Sequence, residues 1–304
     1  MDSVTLQRRL TVSRPGPLLP FLLEVLGQSR TAVKALLRNG AVHINGTCCR
    51  QFDVLLSMGD ELTILKLSSA MAAKRLDESR IQVIHEDDDL FVVEKPAGLL
   101  TVATDREKVD TLYARLRDFV QTRGSRDRDV FVVHRLDEET SGLVLFAKSH
   151  AMKQSLQDVW PTIEKYYLAV VNGQPPSAQG TITSHLTENP KSLRVTSRDQ
   201  PSAHSRSATT RYEVIESSLT RTLLRVRLET GRKHQIRVHL ASIGCPVVGD
   251  SRYGRPSKKS SRHSLPDAPR LALHASELAL SHPRTAEPLS FRSPLPTILV
   301  KLLK

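Results

Sequence analysis

Residues 130–148 read VFVVHRLDEETSGLVLFAK. Two apolar runs, VFVV and LVLFA, flank a polar stretch that carries Arg135, Asp137, Glu138, Glu139, Thr140, Ser141 and Gly142. Short apolar runs rich in β-branched and aromatic residues predict buried strands, so the polar stretch is a loop held at the rim of a sheet. Functional residues often sit on such loops, which makes Asp137 a candidate. The residues alone fit a solvated acidic turn better, with Thr140 and Ser141 as local caps.

Upstream, IQVIHEDDDLFVVEKPAGLLT (81–101) gives two β-rich runs around an acidic turn, the second ending at the Lys95-Pro96-Ala97-Gly98 turn. TLYARLRDFVQ has helical periodicity and TRGSRDRD is a charged loop. Downstream, HAMKQSLQDVW predicts a helix and EKYYLAVVNG a strand. Residues 174–211, rich in Ser, Thr and Pro, predict long surface hairpins, and TRTLLRVRLET an alternating strand. KHQIRVHLASI (233–243) predicts a short helix, 254–270 a basic Ser/Pro-rich insertion, and LALHASELALSHP further strands. Strands outnumber helices and the helices lie between them, so the class is α+β with mixed or antiparallel pairing.

A smaller α/β unit is expected over 16–67, followed by a linker at 68–80 and a larger domain over 81–304. The first dozen residues are polar and expected to be mobile. PFLLEVLG is a short apolar helix. SRTAVKALLRNG is a second, with Ser29 as N-cap and Gly40 as stop. Val33, Leu36 and Leu37 share one face, and Arg30, Lys34 and Arg38 recur every fourth residue as a basic stripe. Asn45-Gly46 and Met58-Gly59-Asp60 are tight turns between strands.

The chain has 304 residues, 39% hydrophobic and 25% charged, an ordinary globular balance. Its net charge of +12 favours polyanionic partners, although a basic protein without such partners is an even alternative. Aromatics at 4% are too few for a stacking platform, which leaves grooves lined by Arg and Lys. No apolar run is long enough for a membrane span, and the N-terminus does not read as a secretory signal. Cys48, Cys49 and Cys245 suggest neither disulfides nor zinc. TGRKHQIRVHLA packs Arg232, Lys233, His234, Arg237 and His239 together, as a nucleic-acid-contacting helix would, or equally as an exposed basic helix. His234 and His239 lack a matching ligand set, so no metal is expected.

Taken together, these stretches resemble the RluA-type RNA pseudouridine synthases. HRLDEETSGLVLFAK carries the family's HRLD, TSG and AK. VVEKPAGLLT (92–101), EKYYLAVVNG (164–173), ETGRKHQIRVHLASIGCPVVGDSRYG (229–254) and LALHASELALSHPRT (271–285) are similar to its other motifs, in the family's order. The first unit resembles the S-four-type RNA-binding module, although its opening helix lacks the Arg-Leu-Asp start common there.

The resemblance implies the pseudouridine synthase fold, with a central mixed or antiparallel sheet, and isomerisation of uridine to pseudouridine. Asp137 would be the essential carboxylate, acting as nucleophile or as base on the sugar. Tyr167 would stack on uracil and help remove the proton from carbon 5. Arg237 would pair with Asp137, and Arg135 would fill the space of the flipped nucleotide. RNA contacts are expected from Arg30, Lys34, Arg38, Arg232 and His234, while His134 and Lys95 would support the loop or meet phosphate. No cofactor is implied. The implied partner is ribosomal RNA of the large subunit, with transfer RNA as alternative, and the implied setting a cytoplasmic monomer away from membranes. A non-catalytic RNA-binding or ribosome-assembly factor and a uracil-releasing glycosidase are the competing functions.

Overall fold

The computed structural model describes residues 5–38, 41–49, 51–66, 82–104, 110–122, 129–254 and 268–303. The expected linker at 68–80, the Gly40 stop, most of the loop at 122–129 and most of the basic insertion lie outside the described residues. The chain forms two compact units, Met1–Arg80 with Val102–Asp129, and Ile81–Thr101 with Val130–Lys304. The stretch 102–129, expected in the larger domain, therefore groups with the first unit.

The first unit contains β1 (Thr5–Thr11), β2 (Gly16–Pro17), α1 (Leu18–Leu26), α2 (Arg30–Arg38), β3 (Val42–Ile44), β4 (Thr47–Cys49), β5 (Leu55–Leu56), β6 (Glu61–Lys66) and α3 (Leu112–Thr122). Leu18, Leu22, Val33, Leu37, Val42, Leu62 and Ile64 form its core. That burial fixes which faces of α1 and α2 turn inward. Ser29 caps α2 through the Ala32 amide at 3.2 Å, as expected. Asn45 (φ 49°) and Gly46 (φ 80°) turn the β3–β4 hairpin. The N-terminus departs from expectation. Thr5 to Thr11 pair antiparallel with β6, so the sheet runs β1-β6-β3-β4. The backbone pairing with β6 completes the sheet despite the segment's polar composition.

The second unit contains β7 (Gln82–Glu86), β8 (Leu90–Lys95), β9 (Phe131–Val132), β10 (Ser141–Ala147), α4 (His150–Asp158), β11 (Glu164–Asn172), β12 (Gln179–Glu188), β13 (Val195–Arg198), β14 (Arg206–Ser217), β15 (Arg221–Leu228), α5 (Gln235–Ser242), β16 (Leu273–Ser281), β17 (Pro288–Arg292) and α6 (Thr297–Val300). Its eleven-stranded sheet runs β13-β12-β14-β15-β11-β16-β10-β8-β7, with β17 on β16 and β9 on β10. All pairs are antiparallel except β10 with β16, so the sheet is mixed, as expected. The Ser/Thr-rich stretch 174–211 supplies β12, β13 and the start of β14, and so belongs to the main sheet rather than to separate surface hairpins. Its residues alternate between exposed and inward positions, which a polar composition tolerates on a one-sided sheet. α5 packs over β11, β15 and β16 through Ile236 and Leu240. α4 covers β8 and β10 through Met152 and Leu156.

The parallel junction places the candidate loop. Ser141 pairs with His274 and Gly142 with Ala275, immediately after residues 133–140. Gly142 has φ +116°, and a Cβ there would lie 2.2 Å from the Ala275 carbonyl oxygen. Only glycine allows this approach. Gly142→Ala is therefore expected to lower stability by more than about 2 kcal/mol, read as a lower urea midpoint of the intact chain. An unchanged midpoint would mean that the two strands separate without cost.

Candidate active site

The loop is fixed from both sides of Asp137 by the segment 95–101. Thr101 Oγ1 accepts from the Leu136 amide at 3.1 Å and donates to the Leu136 carbonyl at 2.9 Å. Lys95 is fully buried, and its Nζ donates to the carbonyls of Pro96 (2.9 Å), Leu99 (2.6 Å) and Glu138 (2.9 Å). The Gly98 amide also donates to Glu138 O at 2.8 Å. Three carbonyls accept all three ammonium protons. Burial pulls Lys95 down to about 7, against the opposing pull of the Asp137 and Glu138 charges. Of the two roles expected for Lys95, the structure shows loop support.

Arg237 reaches Asp137 from α5, where it is 3% exposed. Its nearest carboxylate is not Asp137 but Asp250. Nε donates to Asp250 Oδ2 at 2.8 Å and Nη2 to Oδ1 at 2.9 Å, a bidentate pair. Nη2 also lies 3.0 Å from Glu139 Oε2, and Nη1 lies 3.5 Å from Asp137 Oδ2. Burial works against the guanidinium, but the carboxylates of Asp250, Asp137 and Glu139 together hold it above its ordinary range. Burial likewise opposes ionisation of Asp250, and Arg237 with the Tyr253 and Arg252 amides outweighs it, so the carboxyl stays below its ordinary value.

The basic helix departs from expectation. α5 begins at Gln235, because His234 adopts a left-handed backbone (φ 54°), and Gln235 through Leu240 are buried. It is not an exposed RNA-contacting face. Gln235 ties its start to β14 through Thr209 O (3.0 Å) and Thr210 Oγ1 (2.9 Å). Arg232 and Lys233 precede the helix at the rim of a cleft, where Lys233 pairs with Glu188.

That cleft, about 500 Å³, is lined by His134, Arg135, Asp137, Tyr167, Arg232, His234 and Arg237 among others. Tyr167 is pushed well above the ordinary phenol value, first by burial and then by the Asp137 charge. Arg135 is exposed and, among the described residues, has no ion-pair partner, so the alternative of pairing with Glu138 or Glu139 is not realised. His134 stacks on Trp160 with centroids 4.3 Å apart and accepts from the Leu145 amide at 2.9 Å, a supporting role. Arg30 and Lys34 are exposed on α2 of the first unit, Lys34 4.6 Å over the Phe52 ring. The side chain of Arg38 lies outside the described residues.

Asp250, Thr101 and Tyr253 are the site residues that the sequence analysis missed. The only signal for Asp250 and Tyr253 was their place in GDSRYG, shortly after the cationic segment. Elsewhere, Asp87, Asp89 and His282 converge. His282 Nδ1 accepts from the amides of Arg284 (3.1 Å) and Thr285 (3.2 Å), which puts its proton on Nε2, facing the carboxylates. A protonated nitrogen does not ligate a metal, so this cluster reads as a tie between two turns.

The model of the RNA pseudouridylate synthase family matches residues 89–242. This chain belongs to that family. It is 33% identical over 91% of its length to an uncharacterized RNA pseudouridine synthase of Bacillus subtilis, covering 89% of that protein. It is 31% identical over its whole length to a ribosomal large subunit pseudouridine synthase D of Pasteurella multocida, covering 95% of it. The human RNA pseudouridylate synthase domain containing 4 shares the fold, with a TM-score of 0.62 and 24% identity over 76% of this chain and 94% of that one. The protein is thus an isomerase that converts uridine to pseudouridine in RNA.

Asp250→Asn is isosteric but removes the charge and sets an amide N–H against a donor whose hydrogen the carboxylate now accepts. We expect the single-turnover rate to fall about 10- to 100-fold with RNA affinity unchanged. Lost affinity at an unchanged rate would show that the pair serves RNA binding instead. Three histidines support this region as neutral groups. Burial first, then nearby cations, takes His134 down to about 3 and His274 to about 4, and burial alone takes His239 to about 4, from an ordinary 6.5. The unfolded chain therefore takes up these protons first. Stability is full above pH 6.5 and falls as pH drops toward 4, by about 1.4 kcal/mol per pH unit for each proton. Urea midpoints that stay flat from pH 7 to 4 would contradict this.

Proposed function

We propose that this enzyme modifies uridines of large-subunit ribosomal RNA, with Asp137 as its catalytic carboxylate. The observation that carries the assignment is the seat of Asp137. Its two backbone neighbours are anchored by Lys95, Gly98 and Thr101, and its carboxylate faces a buried arginine already neutralised by Asp250. A carboxylate held in this way needs no rearrangement before it acts, either on ribose carbon 1′ or on a sugar proton. Tyr167 lies in the same cleft as a neutral ring for the uracil face. Arg135, exposed beside Asp137, is placed to fill the gap left by the flipped nucleotide. Arg232 at the rim supplies phosphate contact.

The isomerisation has no net redox change and adds no group from outside the substrate, so the reading includes no cofactor and no metal. The first unit is proposed as an S-four-like RNA-binding module. Its support is the helix pair, the β3–β4 hairpin and the exposed Arg30 and Lys34 on α2. The ribosomal target is supported by full-length similarity to the Pasteurella multocida protein named for the large ribosomal subunit. A cytoplasmic monomer completes the reading, consistent with the free thiols of Cys49 and Cys245.

Mapping pseudouridines at single-nucleotide resolution in a strain lacking this protein tests it. We expect sites to vanish from large-subunit ribosomal RNA, and to return with the wild-type chain but not with Asp137→Asn. Loss confined to transfer RNA would move the target, and rescue by Asp137→Asn would remove Asp137 from the chemistry.

A further inference from the structure

His234 holds an unusual place in the cleft. It is a β-carbon-bearing residue in the left-handed region, with φ 54° and ψ 17°, immediately before α5. Such conformations persist where the surroundings over-determine them, often at functional sites. Here the surroundings fix the ring. Tyr253 Oη accepts from the Val195 amide at 3.0 Å and lies 2.8 Å from His234 Nδ1. The two rings meet edge to face, with centroids 5.6 Å apart and planes at 69°. The Arg194 and Arg237 guanidinium carbons lie 5.0 and 5.4 Å from the Tyr253 ring centre, which holds that ring in turn.

The hydrogen-bond accounting selects one tautomer. If Nδ1 carried the proton, the phenol oxygen would accept twice and its own hydrogen would have no acceptor among the described residues. If the phenol donates to Nδ1, the phenol hydrogen, the phenol oxygen and Nδ1 are all paired. The imidazole proton is then on Nε2, which lies 3.9 Å from Asp137 Oδ2. A second proton on the ring is opposed by burial, and also by Arg237, Arg252 and Lys233, while Asp137 alone favours it. His234 is a neutral donor aimed into the cleft beside the carboxylate. The separation is too long for a direct hydrogen bond. Nε2–H is therefore open to an oxygen atom of a substrate seated in the cleft.

The reaction supplies such an oxygen. When the bond between C1′ and N1 breaks, its electron pair stays on the uracil and is delocalised onto the carbonyl oxygens. O2 is attached next to N1, so it is the base oxygen nearest to the sugar carbons on which Asp137 acts. When the base reattaches, C1′ bonds to C5 as the C1′–Asp137 ester bond breaks or, on the elimination route, as the sugar regains its proton from Asp137; C5 then loses its proton and N1 gains one. A neutral donor on O2 stabilises the detached anion without surrendering its own proton.

We propose that His234 is a catalytic residue whose Nε2–H binds O2 of the detaching uracil, and that Tyr253 is the positioning residue that locks its tautomer. This rests on the reading of Asp137 given above. Imidazole 15N spectra of the full chain without RNA test the lock, with His234→Ala identifying the signals. Nδ1 is expected unprotonated and Nε2 protonated in the wild type, and Tyr253→Phe is expected to give a tautomer mixture. A protonated Nδ1 in the wild type overturns the proposal.

Single-turnover rates on an RNA that the wild type converts test the chemistry. His234→Ala is expected to lower the rate about 100-fold at unchanged RNA affinity, and His234→Gln, which keeps a side-chain N–H, to recover part of it. Placing 2-thiouridine at the target weakens the acceptor, so it should slow the wild type and leave His234→Ala unaffected. A wild-type rate in His234→Ala overturns the proposal, as does lost affinity at an unchanged rate, the signature of a phosphate contact. Turnover by Asp137→Asn would overturn the Asp137 reading instead, and the spectra would still decide the tautomer.

Discussion

A guanidinium that is 3% exposed keeps its charge only if carboxylates replace the water it has lost. Arg237 meets that condition through Asp250, which is itself buried and takes two further hydrogen bonds from the amides of Arg252 and Tyr253 at 2.9 Å. The pair joins α5 to the turn that follows it. Removing one member would leave the other charged and buried, at a cost of about 3–5 kcal/mol. Once Asp250 has fixed the guanidinium plane, only the remaining edge is free to address Asp137 and Glu139. The edge that Arg237 turns toward Asp137 is thus set by Asp250, which does not itself line the cleft.

The backbone under that carboxylate is set from the opposite direction. Thr101 brackets Leu136, and Lys95 with Gly98 holds the Glu138 carbonyl, so the peptide units on both sides of Asp137 are tied to one segment. Ser141 then bonds His274 Nδ1 at 2.9 Å, and His274 Nε2 bonds Ser293 at 2.9 Å, which carries the loop's exit into β16 and beyond. Side-chain orientation and main-chain position come from separate parts of the sheet. Such division gives rigidity, and preorganisation of this kind is what electrostatic catalysis requires.

Much of this was legible in sequence, for identifiable reasons. The strands around Asp137 are continuous apolar runs, and buried strands write themselves that way. KPAG, HRLD, Tyr167 and Arg237 stand in motifs whose order is specific. The partner choices were not legible. Arg237 has three acids within reach, and nothing local says that Asp250 comes closest. Thr101 is an ordinary polar residue in sequence, and its bracket on Leu136 spans 35 positions. The start of α5 was misplaced because periodicity counts Lys233 and His234 as helical, whereas tertiary contacts hold His234 left-handed. The polar N-terminus was misread because strand pairing, not composition, orders β1.

Net charge shows the same limit in another form. The sequence carries 44 Lys and Arg against 32 Asp and Glu, and reads as a surface for RNA. In the main sheet, however, Arg211 pairs with Glu229, Arg225 with Glu277 at 3.0 Å, and Arg227 with Glu164 at 3.3 Å. These pairs are partly or wholly exposed, worth about 0–1 kcal/mol each, and an incoming phosphate displaces such a partner at small cost. Arg237 allows no such exchange, because its partner is as buried as itself. The distinction between an arginine that holds the enzyme together and one that meets the nucleic acid is therefore burial, not charge. By that measure Arg135, exposed beside Asp137, is not one of the arginines that hold the enzyme together, although it stands in the same motif.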